Sequence, residues 1–95
     1  MLHSLFAAII LLAAMAPTVV QVDADRFRVE IVFDDTSPMG HANAQIALIN
    51  AAGKHCKGKG QAISEGALEL SNAEPVRRGK KALGLAEVYR CGPKN

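Results

Sequence analysis

The chain is poor in the side chains that most often fill a small core. It has no tryptophan, one tyrosine and three phenylalanines among 95 residues, so its interior must be mainly aliphatic. It has only two cysteines, Cys56 and Cys91, and no C-x-x-C pair. Structural zinc usually takes four ligands in paired spacings, so this set argues against a zinc centre. His55 adjoins Cys56, but neighbouring helical residues diverge by about 100° and cannot easily grip one ion. No Lys or Arg precedes Arg26. The formal net charge is +2, too small to imply nucleic acid by itself. There are no internal repeats, and nothing in the pattern calls for a cofactor.

What is present begins with an apolar leader. Leu5 to Ala16 is an uninterrupted run of twelve uncharged apolar residues. A membrane-spanning helix needs about 20, whereas the apolar region of a secretory leader needs about 7–15. Pro17 ends the helical pattern, because it lacks the backbone N–H and clashes with the preceding turn. Val22-Asp23-Ala24 then offers small residues for cleavage. Residues 1–24 are therefore predicted to be a signal peptide cut after Ala24. Ala14-Met15-Ala16 is the competing site, but a cut there would leave Pro17 at the new start. The leader lacks a basic residue, which leaves an uncleaved anchor over Leu5–Val22 as the alternative. Membrane attachment is expected only by that route.

Removing residues 1–24 leaves 25–95 as one exported domain with eleven basic and eight acidic side chains, a net charge of +3. A domain this short is near the lower limit for a self-sufficient core. An even cysteine count in an exported chain predicts a Cys56–Cys91 disulfide. Such a cross-link contributes about 3–4 kcal/mol in the chain-entropy picture. Free thiols and half of a metal site are the rival readings.

Phe27 to Phe33 alternates, with Phe27, Val29, Ile31 and Phe33 on one side and Arg28, Glu30 and Val32 on the other. This is a half-buried strand. Ser37 can cap a helix and Pro38 suits its first position. A helix is predicted from 38 to about 57, with Met39, Ala42, Ile46, Ile49, Gly53 and Cys56 as its buried stripe and Gly58 as its stop. His41, Leu48 and His55 fall on the opposite face, expected to meet solvent or another subunit. Gln61–Ser71 reads as a second strand, with a bulge near Gly66 joining Ile63 to Leu68 and Leu70. Asn72–Lys81 is a polar connection, Leu83–Cys91 a third strand, and Gly92–Asn95 a frayed tail. The expected fold is a small two-layer α+β domain of order β-α-β-β, with one helix packed on a three-stranded sheet and one disulfide.

Several motifs invite chemistry and do not support it. Gly53–Gly60 resembles the start of a phosphate-binding loop, G-x-x-x-x-G-K, but Gly60 stands where Ser or Thr should hold Mg²⁺. The helix also precedes the loop rather than following it, so no nucleotide is expected. His41 and His55 could act as acid and base, but fourteen helical residues set them about 21 Å apart, so they could combine only across a dimer. Asp34 and Asp35 suit the positive end of the helix dipole. Glu65, Glu69 and Glu87 are expected on the solvated face of the sheet.

The strongest candidate contact is the loop carrying Arg77, Arg78, Lys80 and Lys81. Four cations around Gly79 could meet an anionic envelope component or an acidic protein. No aromatic residues interleave to stack bases, so single-stranded nucleic acid is disfavoured. The expected function is a non-enzymatic, disulfide-stapled binding module, periplasmic or secreted. An inhibitor of an envelope or foreign hydrolase is the second reading, because rigidity lowers the ordering cost of binding. A small secreted hydrolase or nuclease is the third.

Overall fold

A computed structural model describes residues 16–75 and 77–93. The apolar run up to Met15, which carries most of the expected signal peptide, lies outside the described residues, as do Val76, Lys94 and Asn95. The elements are β1 (Thr18–Gln21), β2 (Arg26–Phe33), α1 (Pro38–His55), β3 (Gln61–Ser64), β4 (Glu69–Ala73) and β5 (Ala82–Gly92). The fold is α+β, with α1 packed on one face of a five-stranded antiparallel sheet. Its order is β-β-α-β-β-β rather than β-α-β-β. β1 flanks β2, β2 flanks β5, and β3 and β4 lie end to end along the other edge of β5.

Two departures produce the extra strands. The first is β1, which forms within the stretch read as the end of the leader. It pairs with β2 from Thr18↔Glu30 to Gln21↔Phe27. The second is a break in the strand expected over Gln61–Ser71. From Ser64↔Tyr89 to Glu69↔Ala86, the outer segment advances five residues while β5 advances three. Two residues loop out, not one, so side-chain parity is conserved across the break. Ile63 therefore stays on the face away from the helix, opposite Arg90, while Leu70 faces the helix side, opposite Leu85.

β2 follows its alternation. Phe27, Val29, Ile31 and Phe33 are all buried against α1, and Leu85 and Tyr89 of β5 complete that face. The helix presents a different stripe from the expected one. Gly40, Ala44, Leu48 and Ala52 are buried, whereas Met39, Ile46 and Ile49 are 67 %, 56 % and 49 % exposed. The cause is volume. Phenylalanines on β2 fill the interlayer space, so the helix turns its smallest residues toward the sheet and approaches closely. Gly40 is required by the loop before the helix, since a Cβ there would stand 1.8 Å from the Asp35 carbonyl oxygen. The His41–Leu48–His55 face consequently points at the sheet. Leu48 is fully buried, His41 packs edge-on to Phe33 at 5.1 Å, and His55 lies 4.3 Å from Phe27.

The helix ends follow the sequence. The Ser37 hydroxyl accepts from the Gly40 N–H at 3.2 Å and donates to Asp35 at 2.6 Å, with Pro38 in the first turn. Cys56 caps the far end, and Gly58 follows in the left-handed region at φ +87°. Cys56 is wholly buried and joins Cys91 of β5 in the expected disulfide, with the two Cα atoms 5.4 Å apart. The bond ties the end of the helix to the last strand.

Candidate functional site

The register of β2 with β5 creates the site at one end of the sheet. Phe33 pairs with Leu83, so the segment leaving β2 and the segment entering β5 emerge together. Asp34 and Asp35 thus come to lie beside the loop of Arg77, Arg78, Lys80 and Lys81. That loop is a turn in which the Lys80 N–H donates to the Arg77 carbonyl at 3.1 Å. Gly79 occupies the left-handed region at φ +77°, which favours glycine.

The four cations are not equivalent. The Arg77 Nε donates to the Asp34 carboxylate, whose side chain is 11 % exposed against 51 % for Arg77. This hydrogen bond holds the Asp34 carboxyl below the usual carboxylate range, and Lys80 adds a weaker attraction at longer reach. Asp35 is also held low, chiefly by the hydroxyl and N–H of Ser37. Arg78, Lys80 and Lys81 are exposed and form no ion pair among the described residues. An open cleft between the loop and the helix start is lined by Asp34, Asp35, Thr36, Ser37, Arg77 and Lys80. The result is a braced cationic turn with two carboxylates at its base.

Of the two aspartates expected at the helix start, only Asp35 supports the cap. Asp34 serves Arg77, 43 residues away. Nothing in the local sequence marks that pairing, because it depends on the strand register. The histidines are held at the two ends of the helix against different phenylalanines and are not brought together.

A second polar cluster was also hidden in the sequence. Glu87 accepts from the Tyr89 hydroxyl at 2.5 Å and from the Ser64 hydroxyl at 2.6 Å. Burial, followed by the Glu87 carboxylate, pushes the Tyr89 phenol well above its ordinary value. Glu87 shares the parity of Tyr89, so it lies on the helix side of the sheet and not on the outer face. Glu65 and Glu69 do lie on the outer face, paired with Arg90 and Arg28. Arg28 also reaches Glu30, so it bridges two carboxylates.

Among the described residues, no group of three His, Cys, Asp or Glu side chains could hold a metal ion, and no helix is long and apolar enough to cross a membrane. No protein-family model, curated protein or solved structure matches the chain.

Proposed function

We propose that the chain is an exported binding module, periplasmic or secreted, that contacts anionic envelope components through the turn of Arg77, Arg78, Lys80 and Lys81. The observation that carries this reading is the bracing of the turn. Arg77 is anchored to the half-buried Asp34, so the neighbouring cations are displayed from a fixed backbone. Pre-organisation of this kind lowers the ordering cost of binding. The Cys56–Cys91 disulfide suits an oxidising, non-cytosolic compartment. In this reading residues 1–24 are the leader that takes the chain there, removed after Ala24.

The test is binding to vesicles of mixed neutral and anionic phospholipid and to lipopolysaccharide, at low and high salt. Changing Arg78, Lys80 and Lys81 together to Ser should abolish most of the binding, and salt should weaken it in the native chain. Arg77→Ser should weaken it less, because its charge is already partnered. Binding left unaltered by the triple change would end the proposal.

A further inference from the structure

We propose that the outer face of α1 docks on an anionic phospholipid bilayer, with its apolar row entering the acyl boundary and the cations at both helix ends meeting the headgroups. The inference rests on the reading of the cationic turn given above and names the anionic component as a lipid surface.

Met39, Ala42, Ile46, Ile49 and Gly53 recur at spacings of three and four, so they share one row along α1. Each of them is exposed. Gly40, Ala44, Leu48 and Ala52 face the sheet, so this row lies away from it. Met39 to Ile49 spans about 15 Å at the rise of an α-helix. Large apolar side chains aligned in one exposed patch mark an interaction site, whereas scattered ones do not. The patch is a convex ridge on the outer layer of the fold, a shape suited to entering another phase.

The charges around this row identify the phase. Residues 36–64 contain no Asp or Glu. Lys54, Lys57 and Lys59 are exposed at the C-terminal end of α1. The turn of Arg77–Lys81 lies beside its N-terminal end, across the cleft lined by Asp35, Ser37 and Lys80. No lysine forms an ion pair among the described residues. The carboxylates at the helix start, Asp34 and Asp35, are engaged by Arg77 and Ser37, and Glu87 by Ser64 and Tyr89. Glu30, Glu65 and Glu69 lie on the far face of the sheet, paired with Arg28 and Arg90. Both ends of the apolar row are thus cationic, which complements an anionic surface. The row itself needs an apolar recipient, and a sugar–phosphate surface offers none. Protein interfaces are depleted in lysine and alanine, whereas helices that lie in a bilayer interface combine apolar side chains with lysines in this way.

The experiment uses the chain recovered from an exporting host and vesicles of phosphatidylcholine with and without phosphatidylglycerol. Ile46→Trp places a fluorophore in a chain that has no tryptophan. The expected result is a blue-shifted emission, quenched by lipids brominated on their acyl chains, only where phosphatidylglycerol is present. Changing Ile46 and Ile49 together to Ser should weaken vesicle binding at least about tenfold. The near-ultraviolet signal of Tyr89 should stay in place, because both isoleucines are already exposed in the free protein. Emission that is not quenched, or a double variant that binds as tightly as the native chain, would overturn the proposal. So would binding to lipopolysaccharide without binding to the vesicles, or a native dimer that hides Ile46. Binding lost on changing Arg78, Lys80 and Lys81 but kept in the double isoleucine variant refutes insertion alone. Binding untouched by the triple change refutes the reading of the turn, so the two failures are distinguishable.

Discussion

Tyr89 is the one tyrosine of a chain without tryptophan, so its ionisation can be followed directly by ultraviolet absorbance. Burial and the Glu87 carboxylate both favour the neutral phenol. A group whose pKa is raised on folding contributes stability below its unfolded value, about 10 for tyrosine, and that stability is lost as pH rises. Phenolate should therefore appear only well above pH 10, together with loss of the near-ultraviolet signature of folding. Titration near 10 in the folded protein would contradict the Tyr89–Glu87 contact. Asp34 has the opposite sign. Its depressed pKa contributes stability above the ordinary carboxylate value, lost as pH falls through the folded one. Arg77→Ser should move the Asp34 carboxyl back up toward the usual range, as read by its NMR titration.

The helix is where sequence patterning and packing disagree most. Met39, Ala42, Ile46 and Ile49 form a regular apolar stripe, but Ala44, Ala47, Leu48, Ala51 and Ala52 make the rest of α1 almost as apolar. Periodicity alone does not choose between two such faces. The choice was made by Phe27 and Phe33, whose bulk on β2 selects the alanine-rich side. Leu48→Ala should therefore cost about 2–5 kcal/mol, while Ile46→Ala should stay within about 0.5 kcal/mol, both read by denaturant unfolding. Equal losses would restore the other face. β2, by contrast, was legible because alternation over Phe27–Phe33 admits one orientation, and Ser37, Pro38 and Gly58 marked the helix ends by their backbone chemistry. The break between β3 and β4 was not legible in its extent, since the excess of two residues is defined only by pairing with β5. Gly60 marks a further tight point. Its φ is +119° and an added Cβ would stand 1.7 Å from the Gly92 carbonyl oxygen. Gly60→Ala should destabilise by more than about 1 kcal/mol.

For the molecule as a whole, the disulfide couples the two layers, and its two cysteines were readable from their even number and from the apolar N-terminal run that led us to expect export. The candidate site was half legible: Arg77, Arg78, Lys80 and Lys81 stand out as a charge cluster, but Asp34 joins them only through the Phe33↔Leu83 register. Replacing Cys56 and Cys91 by Ser should lower stability by about 3–4 kcal/mol, since a loop spanning 35 residues is then freed in the unfolded chain. Export and the staple come together in one measurement: the intact mass of the protein from an exporting host, with and without reduction and alkylation. The expected result is a chain beginning at Asp25 that takes up alkylating reagent only after reduction and is lighter by two hydrogens before it. A full-length chain with two freely alkylated thiols would contradict export and leave the fold without its cross-link.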